Sequence, residues 1–316
     1  MRGYILRRLA FALFLVVAVS SASLVLAELA PGDFATGSRG LGAHPDAVAR
    51  ARARFGLDRS IAAQYGDWIT HAVRFDFGRS MLYDRPVSEL IPERAANTAI
   101  LAATALAIAT LVGLPLGVIS GSRRGGLMPH VIRAASVVLL SMPPLLTSLL
   151  LVFLAARTGW LPIAGMRSAI VPAGGAFLDL VRHLIVPAAA IALPLAAMFE
   201  RLQAQAMHET IAQPFVIATL ARGVSRRRVI WRDALKAALR PIAAVYGLVI
   251  GTLLSGSFAV EVITAWPGLG RLMLEALSAR DVYLVAGCAG MGSAFLACAT
   301  LASDLALAAI DPRVRE

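Results

Sequence analysis

The sequence predicts an all-α integral membrane protein with about six transmembrane helices, each needing ~20 mainly apolar residues to cross the hydrocarbon. Three observations carry this expectation. Of 316 residues, 58% are hydrophobic and 16% charged, with a mean hydropathy of +0.74, outside the range of soluble domains. Uncharged runs of spanning length recur along the chain. The basic residues behind the net charge of +11 collect in short loops between those runs, where they read as topology determinants rather than as a nucleic-acid footprint.

The chain opens with Arg2, Arg7 and Arg8 ahead of an apolar run over residues 9–26. That run exceeds the ~7–15-residue core of a signal peptide, so it is read as an uncleaved first span with its arginines in the cytoplasm. Residues 31–97 are too polar for lipid and are expected to form a small external subdomain, with helix at 46–54 and a loop at 37–42. Further uncharged runs cover 98–119, 134–156 and 242–260. Two spans are less clean. Residues 184–198 contain Pro187 and Pro194 and must extend past Glu200 and Arg201, and 283–310 contain Asp304. The chain thus divides into 1–30, 31–97 and a core at 98–316.

Charge asymmetry orients the spans. With the N-terminus inside, the loop at 121–133 carries Arg123, Arg124 and Arg133 inside, and Arg313 and Arg315 place the C-terminus there too. The opposite loops, 157–183 and 265–282, are poorer in basic residues and carry Asp179, Glu275 and Asp281, in keeping with the positive-inside rule. Both termini are therefore expected in the cytoplasm.

The most informative stretch is the inner loop at 207–241. Pro214 suits the first turn of a short helix, where its missing N–H costs nothing, and Gly223 suits the left-handed position that ends it. Ser225 is expected to cap a second helix at 226–239. There Val229, Ile230, Ala234, Leu235, Ala237 and Ala238 form an apolar stripe beside Arg226, Arg227, Arg228, Arg232 and Lys236. Two short helices joined by a glycine elbow result.

Catalytic patterns fail. No GxxxxGK[ST] loop is present, so this chain is not expected to hydrolyse ATP. His208-Glu209 begins like HExxH, but Ala212 stands where the second zinc ligand belongs. His44, His71, His130 and His183 are scattered singly and read as surface or interface residues. Cys288 and Cys298 lie about 15 Å apart along one helical run, too far to bond, and read as buried small side chains. No catalytic residue, metal or cofactor is expected.

Charges within spans usually face a cavity or a partner helix. Glu261 and Asp304 are candidates for such roles, whereas Glu200 and Arg201 fit the cytoplasmic interface. Gly113, Gly117 and Gly121 repeat on one face of the second span, as do Gly247 and Gly251 in the fifth, a pattern for close helix packing. Pro143-Pro144 should loosen the third span, as a hinge or as a static kink.

The elbow, with Phe215, Val216, Ala218, Ala221, Arg222, Gly223 and Val224, resembles the Glu-Ala-Ala loop of importer-type ATP-binding-cassette (ABC) permeases of the dipeptide, oligopeptide and nickel subfamily. Ala234, Leu235, Ala238, Leu239 and Pro241 continue the likeness. Ile217 and Leu220 stand where that family has arginines, Arg222 replaces lysine and Asp233 histidine. Ordered likenesses extend it: PGD at 31–33, FGLDRSIAAQYGDW at 55–68, FDFGRS at 75–80, PVSELIPERAANT at 86–98, GSFAVE at 256–261, PGLGRL at 267–272, Arg280-Asp281, SDL at 303–305 and DPR at 311–313. A lone basic amphipathic helix on the membrane surface would explain the charge of the loop but not this spacing.

The resemblance implies the type I importer permease fold in a bacterial inner membrane. It also implies a second related permease, two cytoplasmic ABC ATPases and a periplasmic or extracellular solute-binding protein. Phe215, Ala218, Ala221, Arg222 and Gly223 would then meet the ATPase. Glu261 would anchor a short segment re-entering from outside, in which Pro267, Gly268 and Gly270 permit a tight backbone. Peptide is the cargo the likeness favours, with nickel chelates, glutathione and other small polar solutes left open. An ion-coupled secondary transporter is the rival reading, yet no internal repeat between the two halves supports it.

Overall fold

The computed structural model describes residues 2–30, 34, 53, 55–123, 125–168 and 174–310, with backbone alone for 2–5, 244, 254–256 and 303–310. The loop expected at 37–42, the stretch 46–52 and the motifs at 31–33 and 311–313 lie outside the described residues. Among those described there is no strand, and the one β feature is an isolated antiparallel bridge between Arg79 and Pro86.

In order, the helices are α1 (Arg2–Leu29), α2 (Ile61–Ala72), α3 (Val87–Ser122), α4 (Leu127–Leu140), α5 (Pro144–Thr158), α6 (Ala176–Ile211) and α7 (Pro214–Ala221). A composite helix follows, α8 (Arg226–Arg228), a π-helical segment (Val229–Ala234) and α9 (Leu235–Ala238). Then come α10 (Arg240–Gly256), α11 (Phe258–Ile263), α12 (Leu269–Ala279) and α13 (Val282–Ile310).

Among the described residues, five stretches are long and apolar enough to cross a membrane: 6–29, 87–122, 176–211, 245–263 and 282–302. A sixth results if α4 and α5 count as one broken span. Large side chains such as Leu13, Leu111 and Phe153 stand 67%, 75% and 58% exposed. On helices of this composition such a surface faces lipid or partner helices.

The third run is not one helix. α4 and α5 meet at 102° across a short break. Pro143 sits at φ −63°, ψ 146°, and Pro144 opens α5, because a proline cannot continue the preceding helix and biases its own predecessor to extended backbone. At ~1.5 Å per residue, neither piece alone spans ~30 Å of hydrocarbon. The fourth span extends as expected, since α6 carries Pro187 and Pro194 within 36 helical residues. The fifth run breaks at Ser257 into α10 and α11.

Two compact units are present: Met1–Ala99 with Pro267–Cys298, and Ile100–Trp266 with Ala299–Glu316. In the first, α2 packs on α1, with Leu24, Trp68 and Ala286 buried together and Tyr65 Oη donating to Ser21 Oγ at 3.0 Å. Ser60 caps α2 by accepting from the Ala63 N–H. A second cluster joins Val87 and Ile91 to Leu269, Leu272, Ala276 and Leu284.

In the second unit α6 is the central helix, with α4, α5, α10 and α11 packed on it. Ala102, Ala105 and Ala109 of α3 share one buried cluster with Ala188, Ala192 and Ala196 of α6. The glycine stripe of α3 serves the same contact. A methyl added at Gly113 would lie 2.5 Å from the Ala196 carbonyl oxygen, and one at Gly117 2.5 Å from Gln203 Cβ. At Gly121 it would overlap the Ala204 backbone. The expectation of close packing therefore holds at these three positions. Phe199 stacks on Tyr246 at 5.2 Å, and the Tyr246 hydroxyl bonds Thr110 Oγ1.

Candidate functional site

The loop at 207–241 forms the two short helices that its residues prescribe. Pro214 stands at the start of α7, and Gly223 at φ +84° turns the chain after it. The Gly223 N–H reaches the Leu220 carbonyl at 2.9 Å. No atom lies within 4 Å of a Cβ built on Gly223. The need for glycine here is thus conformational, because left-handed backbone penalises L side chains, and not a matter of local crowding.

The second helix departs from expectation in two ways. Ser225 holds the cap position but its side chain makes no capping bond. Residues Val229–Ala234 are π-helical, not α-helical. The wider turn rotates the side chains after it relative to an α-helical register, and lets Val229, Ala234 and Ala238 all enter one buried cluster.

That cluster seats α7. Val118, Ala206, Met207, Val216, Val229, Ala234 and Ala238 are buried together. Val216, 1% exposed, is the only buried residue of α7. The rest of the helix faces outward: Phe215, Ile217 and Leu220 are 41%, 58% and 38% exposed, and Ala218, Ala221 and Arg222 are exposed too. Arg222 Nη2 donates to Thr219 Oγ1 at 3.1 Å, and Thr219 Oγ1 to the Phe215 carbonyl at 2.7 Å. The result is a small apolar knob on a basic loop. Ile217 and Leu220, whose types depart from the resembled pattern, are exposed on this helix as well, and with Phe215 they flank buried Val216.

Glu200 and Arg201 part company. Glu200 is 2% exposed and accepts from Ser120 Oγ near the end of α3, while Arg201 is exposed. Arg133 donates to the Ser120 carbonyl at 3.2 Å, next to this contact. His183, expected at a surface or an interface, is buried, 6% exposed, with Nδ1 2.8 Å from the Asp179 carbonyl oxygen. Of the cysteines, Cys288 is buried but Cys298 is exposed, a correction to the expectation that both are interior.

Glu261 is wholly buried and accepts from Ser257 Oγ at 2.8 Å, while its carbonyl takes the Trp266 N–H at 2.9 Å. Ala265 turns the chain at φ +50° between them. In the other unit, Asn97 Nδ2 donates to the Pro267 carbonyl at 2.9 Å, and the Leu269 N–H to Thr98 Oγ1 at 2.8 Å. Gly268 is the extended cap of α12 and Gly270 lies in its first turn. Asp304 lies on α13, and its side chain is outside the described residues.

Motifs far apart in the sequence meet in the first unit. The Asp281 carboxylate accepts from Ser80 Oγ at 2.6 Å, from the Leu82 N–H at 3.0 Å and from the Leu284 N–H at 3.1 Å. Tyr83 Oη donates to Glu275 at 2.5 Å. Burial first, and then that bond, push the Tyr83 phenol up to about 12. A hairpin closed by the Ser80 N–H to Arg85 carbonyl and Val87 N–H to Gly78 carbonyl bonds presents Ser80 and Tyr83 to these partners.

Comparison with known proteins agrees with this architecture. Residues 113–316 match the family described as "Binding-protein-dependent transport system inner membrane component". Residues 1–102 match its N-terminal counterpart, "Binding-prot-dependent transport system membrane comp, N-term". A Brucella abortus (strain 2308) protein named for a peptide transport system permease is 35% identical over 317 residues, covering 100% of this chain and 99% of that protein. The oligopeptide transport system permease protein OppB of Mycobacterium bovis is 33% identical over 325 residues, with coverage of 100% and 99%. OppB of Mycobacterium tuberculosis matches to the same extent, 33% over 325 residues.

Proposed function

The chain belongs to the family of binding-protein-dependent transport system inner membrane components, and from that premise we propose that it carries peptides inward, driven through α7. It is a multi-pass inner-membrane permease subunit of an ABC importer, not an ion-coupled secondary transporter. Such a subunit works with an ATPase and a solute-binding protein. In our reading a second, related permease completes the path, two cytoplasmic ATPases hydrolyse ATP, and this chain itself hydrolyses none.

The observation that carries the coupling role is the exposure of three large apolar side chains of α7, Phe215, Ile217 and Leu220, on a loop otherwise rich in arginine. Three large apolar side chains outside the spans have no use in water, and a partner groove would bury them. Val216 ties this knob to α3 and α6 through one buried cluster, so a push on Phe215, Ala218, Ala221, Arg222 and Gly223 would travel into the spans as a rigid-body motion. Both termini and the loops at 121–133 and 207–241 would face the cytoplasm. Residues 31–97 would form the external subdomain against which the binding protein delivers cargo, ahead of the core at 98–316.

Glu261, Pro267, Gly268 and Gly270 are proposed as structural anchors around the 264–270 turn, and Asp304 as a polar group of the last span. Peptide is chosen because the Brucella and mycobacterial relatives are named for it. Affinity purification of the tagged chain from its host's membranes tests the assembly. Recovery of a phosphate-loop ATPase together with a second permease is expected, and recovery of this chain alone after crosslinking would contradict it.

A further inference from the structure

A cleft of about 710 Å³ lies beside the coupling loop, within the second unit, lined by Arg123, Arg226 and Arg227 with Ile119, Ile230 and Trp231. Among the described residues none of the three arginines has a carboxylate within 4.0 Å. Arg226 is held in place by donating to the Ser122 carbonyl at 3.3 Å, and Arg123 leans on Met128 Sδ. Three arginines lining one cleft, with no carboxylate partner among the described residues, make a strongly positive, anion-seeking recess.

The position of the cleft selects the anion. The uncharged run of α3 ends here, and Ile119 lies in the last turns of a membrane-crossing helix while Arg123 lies just beyond it. Apolar lining and cationic lining therefore meet at the level where hydrocarbon gives way to headgroups. Trp231, 43% exposed, has the amphipathic ring that favours this boundary. A soluble anion would use the arginines but leave Ile119, Ile230 and Trp231 without a role.

We propose that this cleft binds an anionic glycerophospholipid, its phosphate on Arg123, Arg226 and Arg227 and its glycerol and upper acyl chain against Ile119, Ile230 and Trp231. Arginine suits the phosphate because its planar fork makes paired hydrogen bonds. The bound lipid would bridge the end of α3 to the helix that follows Gly223, so the lipid charge of the membrane would bear on how the coupling loop is held. The inference needs only the membrane setting of the chain and does not depend on which protein meets α7.

The test uses the full-length chain, purified with its bound subunits in mild detergent, and reads tryptophan fluorescence during titration with dibrominated phosphatidylglycerol. Saturable quenching is expected, stronger than with dibrominated phosphatidylcholine and lost in Trp231→Phe. Replacing all three arginines by glutamine should raise the half-quenching lipid concentration on the order of 100-fold, from about fivefold per charge, while lysine replacements keep most of the binding. Equal quenching by both lipids would overturn the proposal, as would an unchanged triple variant. Displacement by low concentrations of inorganic phosphate would instead identify a small-anion site and also overturn it. If the triple glutamine variant does not fold, the lipid comparison in the wild type and in Trp231→Phe decides alone.

Discussion

The Asp281 carboxylate accepts the Ser80 hydroxyl at 2.6 Å, although 201 positions separate the two residues. Asp281 is wholly buried and also takes the Leu82 and Leu284 N–H groups. One charge therefore ties the 78–87 hairpin to the start of α13. Asp281→Ala would leave a hydroxyl and two N–H groups without their acceptor, a loss of roughly 3 kcal/mol or more. Thermal unfolding in detergent should show a lower Tm for Asp281→Ala, with Asp281→Asn intermediate because its amide oxygen still accepts. An unchanged Tm would mean the contact carries no stability.

The Tyr83 and Glu275 pair makes docking of the hairpin sensitive to alkaline pH. The Tyr83 phenol is pushed up to about 12 from its ordinary 10.0, by burial first and by Glu275 second. The folded state thus holds this proton more tightly than the unfolded state. The associated stability is complete below pH 10 and is lost as pH rises through about 12. Wild type should lose Tm across that window more steeply than Tyr83→Phe, and parallel curves for the two would contradict the assignment.

Glycine at 117 and 121 is set by the approach of α6. Gly117→Ala would place a methyl 2.5 Å from Gln203 Cβ and 2.6 Å from the Glu200 carbonyl oxygen. Neither neighbour is the free end of a flexible chain, so the helices must separate, at a cost of roughly 1–3 kcal/mol. Lower yield and lower Tm of the purified chain are expected. Gly125→Ala is the control, because nothing lies within 4 Å of a Cβ there.

Ala265 adopts φ +50°, a left-handed conformation that costs a non-glycine residue about 1 kcal/mol or more. Ala265→Gly should relieve part of this and raise Tm modestly. A lower Tm would indicate that the methyl packs in a way that outweighs the backbone gain.

On α7, exposure predicts a functional loss without a folding loss. Ile217 and Leu220 are 58% and 38% exposed. Ile217→Glu with Leu220→Glu should leave unfolding stability within about 0.5 kcal/mol of wild type, as exposed substitutions do, yet reduce ATP-dependent peptide uptake in proteoliposomes at least tenfold. Val216→Ala should instead lower Tm, because Val216 is the buried anchor of the helix. Gly223→Val should reduce transport through its strained backbone, and Gly223→Asn should be milder, since asparagine tolerates the left-handed region.

Much of the fold was legible because spans are written in composition and turns in glycine and proline. The uncharged runs located the membrane helices, Pro214 and Gly223 bracketed α7, and the spacing of Gly113, Gly117 and Gly121 announced the α3 and α6 seam. What escaped were properties of three-dimensional pairing. A run at 134–156 reads as one span by hydropathy, since proline in a span can be a kink or a break, and only packing of α4 and α5 on α6 decides for the break. The π-helical segment has no residue signature in Val229–Ala234; it follows from seating Val229 and Ala238 in one cluster. The meeting of Ser80 with Asp281, and of Asn97 and Thr98 with the 267–269 backbone, joins motifs whose separation in the chain hides their contact. Glu200 looked like an interface charge from its place at the end of an apolar run, but the close approach of α3 buries it on Ser120.

The most direct test of the coupling role is photocrosslinking from position 217, with p-benzoylphenylalanine in place of Ile217, in host membranes containing the whole transporter. The account predicts a nucleotide-dependent adduct between this chain and a phosphate-loop ATPase, absent when the same group replaces buried Val216 or exposed Trp160, which lies outside the 207–241 loop. An adduct formed only with lipid, or no adduct at 217 while the transporter stays assembled and active, would contradict the claim that α7 is where ATP hydrolysis is received.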